Sequence, residues 1–317
     1  MKPGLTVLIP TYNRKIQLTR TLDSLCNQTD REFQILISDN ASNYSIVKDV
    51  LEKYPADFLE CITLRRQRTN LGADINIASV LAHCGTQWGW LLGDDDMIDE
   101  HAIENIKKQI SENPECSAFW FSISHRQKEN VMMQSMEDLI GVLKANRFNG
   151  DWIFMSNKVY NLADAEKYFE EMFFRLYTRI PQCIPILEML KNKKKVCVVN
   201  SVQIVKHAPL ENDITWEINS TLTGMRTIMD YNFGLPYSKH KEIVKYTMFT
   251  PGFAIRRYLK EESLPWNYKT YLSFIYDETY CKVYRFPVNL ILWMIVKLIS
   301  TPIGFRIGKF FVKIDGK

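Results

Sequence analysis

The sequence predicts an α/β protein with a mostly parallel sheet flanked by helices. Over the first 125 residues, five short apolar segments alternate with stretches in which apolar residues recur at helical spacing. Strands separated by helices of this length form βαβ units, whose strands run parallel. A chain of 317 residues is also long enough to bury a large core. The expected strands are Leu5–Ile9, Phe33–Ile37, Cys61–Leu64, Trp88–Leu92 and Ala118–Ser122, and the expected helices are about 15–27, 44–54, 75–83 and 101–111.

The later chain predicts a second half of the same domain and a helical C-terminal region. We expect a domain over residues 1–215, with its first half at about 4–125 and its second at about 126–215. Residues 216–317 form the C-terminal region. Further elements are expected as helices at about 163–176, 183–191, 217–230 and 240–248 and as a strand at Val196–Val205.

Composition excludes several classes of protein. With 46% hydrophobic and 24% charged residues, the chain is not disordered, collagen-like or a disulfide scaffold. The net charge is only +4, and the single short basic run, Lys193–Lys195, reads as a solvated turn, so no nucleic-acid partner is expected. Seven scattered cysteines without a Cys-x-x-Cys pair are typical of reduced thiols. The apolar run Leu5–Ile9 is too short for an export signal, so a cytoplasmic location is expected.

Residues 286–305 are unusually apolar, with Lys297 as their only charge. A membrane-spanning helix needs about 20 apolar residues, but the prolines at 287 and 302 argue against a clean span. Basic residues follow the run, and aromatic residues lie within it. We expect an amphipathic segment at about 286–313 that lies on the inner face of the cell membrane. The alternatives are a helix buried in the core and a true span.

Asp94, Asp95 and Asp96 directly follow the apolar run Trp88–Leu92. Two unit charges 4 Å apart repel by about 4 kcal/mol at an effective dielectric constant of 20. Three carboxylates at a buried strand end therefore favour a bound cation, and hard oxygen ligands suit Mg²⁺ or Mn²⁺ held together with phosphate oxygens. The alternative is a solvated acidic turn.

Polar residues also follow the other expected strands, at the edge where ligands bind in open parallel sheets. Arg14 is placed to meet a phosphate, and Asp39 and Asn40 to hydrogen-bond a ribose or a base. The alternative for the Asp39 turn is a helix N-cap. The candidate ligand-binding residues are Pro10, Thr11, Tyr12, Arg14, Asp39, Asn40, Asn70, Gly72 and Asp94.

In order along the chain, IPTYNR, ISDNAS, NLGADIN and WLLGDDD resemble the nucleotide-sugar-binding half of glycosyltransferase family 2, which has the GT-A fold. The resemblance covers about residues 4–125, continues more weakly to about 210, and is greatest to the abequosyltransferase-like branch. It implies a Rossmann-like sheet, a nucleotide-sugar donor bound by the candidate residues above, and Mn²⁺ or Mg²⁺ between the acidic turn and the donor diphosphate.

The resemblance leaves two registers open at the acidic turn. If the motif is Asp-x-Asp, the metal ligands are Asp94 and Asp96. If it corresponds to the commoner Leu-Asp-x-Asp-Asp, Gly93 takes the first Asp position and Asp95 is the ligand. All three aspartates are therefore candidates, and His207 matches a late strand-end histidine of the family that adds a nitrogen ligand. The alternative for His207 is an ordinary strand-end histidine.

The chain departs from the family at the catalytic base. Inverting members carry a Glu-Asp pair whose Asp deprotonates the acceptor hydroxyl, and the corresponding positions here are Pro181 and Gln182. Asp213 and Glu188 are the candidate replacements. Either the base has moved, or the stereochemical course differs from inversion.

The resulting hypothesis is a metal-dependent glycosyltransferase that moves a hexosyl or deoxyhexosyl group to a lipid-linked or oligosaccharide acceptor. The resemblance implies a role in bacterial surface polysaccharide, such as O-antigen. One alternative is a nucleotidyltransferase that makes an activated sugar, although the turn at 10–14 lacks the glycines of its phosphate loop. The other is a non-catalytic, membrane-bound scaffold with this fold, which the missing Glu-Asp pair favours.

Overall fold

The computed structural model describes residues 2–123, 127–146, 149–206, 227–247 and 288–314, with residues 255 and 259. The chain divides into two compact units, residues 1–215 and 216–317, which are described separately. His207, Asp213 and most of the helix expected at 217–230 lie outside the described residues.

The first unit is built on an eight-stranded sheet of order β3-β2-β1-β4-β8-β6-β9-β7, beside a two-stranded antiparallel sheet of β5 and β10. In the large sheet, six strands run in one direction, and β7 and β8 run in the other. The predicted mostly parallel α/β sheet is confirmed. The strands are β1 Lys2–Thr11, β2 Gln34–Asp39, β3 Ile62–Arg66, β4 Thr86–Leu91, β5 Met97–Ile98, β6 Cys116–Phe121, β7 Val131–Met133, β8 Lys158–Asn161, β9 Lys195–Val199 and β10 Val205–Lys206.

Helices connect the strands of the first unit and form the described part of the second. They are α1 Lys15–Cys26, α2 Ile46–Asp49, α3 Ala56–Glu60, α4 Ala73–Ala82, α5 Ala102–Glu112, α6 Met136–Asn146, α7 Asn149–Ile153, α8 Leu162–Ala165, α9 Phe169–Phe174, α10 Ile184–Lys191, α11 Tyr237–Thr247, α12 Val288–Ile299 and α13 Pro302–Ile314. Short 3₁₀ turns lie at Leu51–Lys53, Glu166–Tyr168, Leu176–Thr178, Pro181–Cys183 and Thr227–Asp230.

Three predicted elements are interrupted in the structure. The helix expected at about 163–176 is divided into α8, the 3₁₀ turn Glu166–Tyr168 and α9. The helix expected at 44–54 is wrong as a single element, because Val50 leaves the helical region with φ −127° and separates α2 from a 3₁₀ turn. The strand expected at Val196–Val205 divides into β9 and β10. The amide N–H groups of Asn200 and Ser201 turn away from the sheet and donate to the Asn130 side chain, at 2.9 and 3.1 Å.

The centre of the large sheet is closely packed around β4. Trp90 is fully buried, and Gly89 beside it lies against two leucine side chains. A Cβ at Gly89 would lie 2.8 Å from Leu162 Cδ2 and 2.9 Å from Leu8 Cδ1. A larger residue at this position would therefore have to displace the ends of two packed leucine side chains.

A buried polar cluster lies where β8 begins. The Asp151 side chain is fully buried and accepts hydrogen bonds from Trp120 Nε1 at 2.9 Å, from Asn157 Nδ2 at 3.0 Å and from further donors. Lys158 Nζ donates to Asn157 Oδ1 at 2.9 Å and to the Phe154 carbonyl at 2.6 Å. This cluster fixes the chain between α7 and β8.

In the second unit, an aromatic cluster anchors α11. The Phe233 ring lies 4.7 Å from both Tyr231 and His240, centroid to centroid, and His240 Nε2 lies 2.8 Å from the Met229 carbonyl oxygen. Helices α12 and α13 are joined by two residues and contact each other, and we call residues 288–314 the C-terminal hairpin. Among the described residues, none of the helices combines the length and the apolar character needed to cross a membrane.

Gly89→Ala should lower the free energy of unfolding by about 1–3 kcal/mol, because the added methyl group overpacks β4. Urea denaturation measures the change. Gly141→Ala is the matched control: Gly141 is exposed in α6 with no heavy atom within 4 Å of a built Cβ, so this change should be neutral or mildly stabilising. Equal effects of the two substitutions would contradict the packing argument.

Lys158 should make stability depend on pH. Burial lowers its pKa from 10.5 to about 8, so between these values the unfolded chain holds more protons than the folded one. The free energy of unfolding of the wild type should therefore rise with pH relative to Lys158→Met, by up to about 1.4 kcal/mol per pH unit. Denaturation between pH 8 and 10 tests this, with Lys48→Met, an exposed lysine in α2, as the control. Parallel curves for wild type and Lys158→Met would refute it.

Candidate active site

The acidic turn, residues Asp94–Asp96, follows β4 at the carboxyl edge of the sheet and is held by residues that follow β1. Thr11 Oγ1 donates to Asp94 Oδ2 at 2.6 Å. The Arg14 guanidinium reaches Asp94 Oδ1 at 3.3 Å and Asp95 Oδ2 at 2.5 Å. Asp94 is buried, whereas the side chain of Asp95 is 45% exposed. The structure thus brings together four of the predicted site residues.

Burial dominates the electrostatics of this turn. Loss of water raises the pKa of Asp94 to about 6 and that of Asp96 to about 7. Burial also disfavours the charge on Arg14, but Asp94 and Asp95 outweigh it and raise the pKa of the guanidinium. Three carboxyl groups face one guanidinium, and the local charge favours a further cation.

Asp96 is held from the opposite side by residues that the sequence did not reveal. Ser156 Oγ accepts from the Gly93 amide at 2.8 Å and donates to Asp96 Oδ2. Thr21 Oγ1 on α1 lies 2.9 Å from both the Asp94 and Asp96 carbonyl oxygens. A Cβ at Gly93 would lie 2.7 Å from Asp96 Oδ2, so a larger residue there would displace the carboxylate.

A second cluster follows β2, one strand away. The Asp39 side chain is fully buried. It accepts from Arg66 at 2.9 Å and from the Ser42 amide at 2.9 Å. Its backbone pairs with Thr11 across β1 and β2, which sets the two clusters side by side. The N-cap of the following helix α2 is Ser45, so Asp39 does not fill that role.

Asn40 joins this cluster to the turn before α4. Its Nδ2 donates to Asn70 Oδ1 at 2.7 Å, and its Oδ1 accepts from the Leu71 amide at 2.9 Å. Gly72 has φ +88°, in the region that favours glycine, and precedes the first residue of α4. Asn40, Asn70 and Gly72 are therefore joined in a single cluster.

The remaining predicted donor residues lie on the same edge. Pro10 is a buried residue of β1, and the Tyr12 side chain is 41% exposed.

Asp74, in the first turn of α4, forms an ion pair with Arg179, and burial raises its pKa. Asp74 is a carboxyl group on this edge that the sequence reasoning did not select.

The acidic turn is not a closed metal cage. Among the described residues, no group of three or more His, Cys, Asp or Glu side chains is arranged to hold a metal ion. Both oxygens of Asp94 are engaged by Thr11 and Arg14, while Asp95 is open to solvent. A donor set of one or two carboxylates fits a cation whose other ligands come from a bound diphosphate and water.

The candidate base Glu188 lies in α10, with its side chain 11% exposed and paired with Lys191 at 2.9 Å. Glu188 and Asp164 both lie close enough to Tyr168 to raise the pKa of its hydroxyl group. Asp164 in turn accepts a hydrogen bond from Ser117, near the start of β6. Because β6 runs parallel to the strands that carry the acidic turn, this neighbourhood belongs to the opposite edge of the sheet. The position does not favour Glu188 as a base.

The positions of the family's Glu-Asp pair serve a structural role. Gln182 is buried and donates from Nε2 to the Ile153 carbonyl at 2.6 Å, and Tyr160 donates to the Gln182 carbonyl at 2.6 Å. Asp213 and His207 lie outside the described residues, so their predicted roles stay predictions.

Three supporting residues were missed for different reasons. Arg66 ends β3, so the strand-end rule that selected Asp39 could have found it. Thr21 is a buried polar residue on the apolar face of α1, beside Leu18 and Leu22, which is a detectable signal. Ser156 precedes an antiparallel strand, β8, which the βαβ pattern does not predict, and no local sequence feature marks it.

Comparison with known proteins identifies relatives of the first unit. The family model for "Glycosyl transferase family 2" matches residues 6–177, more than half of the chain. An uncharacterized glycosyltransferase of Haemophilus influenzae is 24% identical over 155 residues, 49% of each chain. Abequosyltransferase RfbV of Salmonella typhimurium is 31% identical over 104 residues, 32% of this chain and 31% of that one.

A third relative is GalNAc(5)-diNAcBac-PP-undecaprenol beta-1,3-glucosyltransferase of Campylobacter jejuni, 26% identical over 110 residues, 35% of each chain. The matches thus span about half or less of the length of these curated relatives.

Solved structures show the same fold. Staphylococcus aureus TarS 1–349 in complex with UDP-GlcNAc superposes with a TM-score of 0.62 at 14% identity, covering 98% of this chain and 92% of that one. Mannosyltransferase PcManGT from Pyrobaculum calidifontis, in complex with GDP-Man and Mn²⁺, gives 0.54 at 15% identity, with 99% and 85% covered. These likenesses show the GT-A fold, and the match to the family model establishes that the chain belongs to glycosyl transferase family 2.

Proposed function

We propose that this protein transfers one sugar from a nucleotide-sugar donor to a hydroxyl group of a glycan acceptor. The observation that carries the proposal is the acidic turn, whose three carboxyl groups lie with Arg14 and Thr11 at the carboxyl edge of the sheet. A site with this charge suits a cation and a phosphorylated ligand together. Family membership supports the same reaction class.

The two clusters divide donor binding between them. The surface formed by Asn40, Asn70 and Gly72 is our proposed contact for the nucleoside, with Asp39 buried beneath it and bonded to Arg66. Tyr12, which follows β1 and is 41% exposed, is proposed to contribute to the same contact. Arg14 lies between this surface and the acidic turn, where its guanidinium is placed to contact a diphosphate. In the transfer, the acceptor oxygen bonds to the donor sugar's anomeric carbon while the bond to the diphosphate breaks, and the diphosphate leaves with the electron pair.

Asp95 and Asp96 are the residues that we propose hold Mn²⁺ or Mg²⁺. Asp94 is buried with both carboxylate oxygens engaged, whereas Asp95 and Asp96 each have one oxygen engaged, by Arg14 and by Ser156, and the Asp95 side chain is 45% exposed. This favours the register in which Gly93 takes the first position of the family's motif. When bound, a divalent cation would offset the charge that develops on the leaving diphosphate.

The acceptor hydroxyl must lose its proton during transfer. Asp213 is our proposed base, since Pro181 and Gln182 cannot serve and the surroundings of Glu188 do not favour it. His207 is proposed to contribute to the metal or diphosphate site.

We propose a lipid-linked glycan of the bacterial surface, such as an O-antigen intermediate, as the acceptor. Two matched relatives support this: one is named an abequosyltransferase, and the other is named for an undecaprenol-linked acceptor. An acceptor of this kind is held at a membrane, so the enzyme must work at the membrane surface.

The C-terminal hairpin is the proposed means of attachment to the inner face of the cell membrane. Residues 288–314 contain Lys297, Arg306, Lys309 and Lys313 and no acidic residue. A positively charged surface with large exposed apolar side chains suits an anionic lipid headgroup layer. The exposed apolar residues are Leu290, Ile291, Trp293, Met294, Ile295, Leu298, Ile303 and Ile307.

Nucleotide binding tests the donor site. In calorimetric titrations of UDP, CDP, GDP and dTDP, one nucleotide should bind with Mn²⁺ or Mg²⁺ and lose at least about tenfold in affinity with EDTA. The Asp95→Asn/Asp96→Asn double variant should lose the same binding, because it removes the proposed ligands. Asp57→Asn, an exposed aspartate in α3, is the control. A well-folded protein that binds none of the four would favour the scaffold alternative.

Vesicle binding tests the attachment. The protein should sediment with vesicles that contain phosphatidylglycerol, less so at high salt, and poorly with pure phosphatidylcholine. Leu298→Glu/Ile303→Glu should weaken binding at least about tenfold, because two apolar side chains leave the bilayer interface. Val47→Glu, at an exposed apolar position of the first unit, should have no effect. Unchanged binding of the hairpin variant would exclude this surface.

A further inference from the structure

We infer that Ser156 is a positioning residue of the glycosyl-transfer site, which sets the orientation of the Asp96 carboxylate. The inference rests on the proposed function. It concerns a side chain that lies outside every sequence motif of the site and that is fully buried.

The hydroxyl group of Ser156 has its hydrogen-bond direction fixed. It accepts from the Gly93 amide at 2.8 Å, so its single proton points to Asp96 Oδ2. Oδ2 is thereby held as an acceptor on the inner side of the turn, and Oδ1 is left for a ligand. The absence of a side chain at Gly93 makes room for this arrangement, because a Cβ there would lie 3.2 Å from Ser156 Oγ.

The segment that contains Ser156 is itself held by the two strands that flank β8. Its carbonyl oxygen accepts from Trp90 Nε1 on β4 at 2.7 Å. The next carbonyl, that of Asn157, accepts from the Phe121 amide of β6 at 2.8 Å. The segment therefore spans from β4 to β6 in front of the first residue of β8.

Behind the segment, the buried polar cluster removes its remaining freedom. Asn157 is bonded to Asp151 through Nδ2 and to Lys158 through Oδ1. Because these groups are buried, moving the segment would break hydrogen bonds that water cannot replace. Because its hydroxyl group cannot move, Ser156 fixes the orientation of the Asp96 carboxylate, as residues that bond to metal ligands commonly do.

Ser156→Ala and Ser117→Ala are a matched pair of variants that tests the inference. Ser117 is also buried and donates to an aspartate, Asp164, at 2.7 Å, but it lies at the other edge of the sheet. Nucleoside diphosphate binding is measured by calorimetry at increasing Mn²⁺, with the same four nucleotides. Ser156→Ala should need about tenfold more Mn²⁺ for half-maximal binding, and Ser117→Ala should match the wild type, although both lower the melting temperature.

Two further controls keep the outcomes distinct. In an Asp96→Asn background, Ser156→Ala should add little further loss, because the group that it orients is already changed. If Ser156→Ala does not fold, Ser156→Cys keeps a similar volume and weakens the donor, and it should shift the Mn²⁺ requirement in the same direction. Equal Mn²⁺ requirements for the Ser156 and Ser117 variants would overturn the inference. Metal-independent binding by the wild type would instead refute the proposed metal site, and the positioning role with it.

Discussion

The crowding of three carboxyl groups at the end of a buried strand is the constraint around which this site is built. At separations near 4 Å, each pair of charges would repel by about 4 kcal/mol at an effective dielectric constant of 20. The fold answers with hydrogen bonds from Thr11 and Ser156, with the Arg14 guanidinium, and with raised pKa values at Asp94 and Asp96. With three carboxyl groups and one guanidinium, the turn is not fully neutralised, which makes it suited to bind a cation together with a phosphorylated donor.

The topology of the sheet decides which residues lie close enough to the acidic turn to bond its carboxyl groups. Parallel strands bring their carboxyl ends to one edge, so Thr11, Asp39 and the acidic turn become neighbours. β8 runs in the opposite direction between β4 and β6, and it therefore presents its amino end at that edge. The segment before β8 is thus the means by which the second half of the domain reaches the acidic turn.

Two departures from the family pattern have different consequences. In the register that we propose for the acidic turn, Gly93 stands at the first acidic position, and Asp96 and Ser156 occupy the space beside it. Pro181 and Gln182 replace the Glu-Asp pair, and Gln182 joins the packing between α7 and β8. At the acidic turn, contacts between neighbouring residues therefore fill the space that a larger side chain at Gly93 would occupy. On the acceptor side, the described residues at these positions supply no base.

Apolar periodicity and strand-end polar residues were enough to predict the α/β class, the first four parallel strands and the grouping of polar residues at one edge of the sheet. These features are local: a strand's hydrophobic pattern and the residues that follow it lie within one short stretch of sequence. The apolar character of the C-terminal hairpin was also foreseeable, and its division at 300–301 falls next to Pro302, which the sequence marks as a break.

Only the tertiary structure decided which groups balance the acidic turn. Ser156 is separated from Asp96 by 60 positions, and Arg66 from Asp39 by 27. Glu188 appeared suitable as a base from its position in the chain, yet α10 places it with Lys191 near the opposite edge. Contacts of this kind depend on strand order and direction, which no local pattern encodes, because they are fixed only when the whole sheet packs.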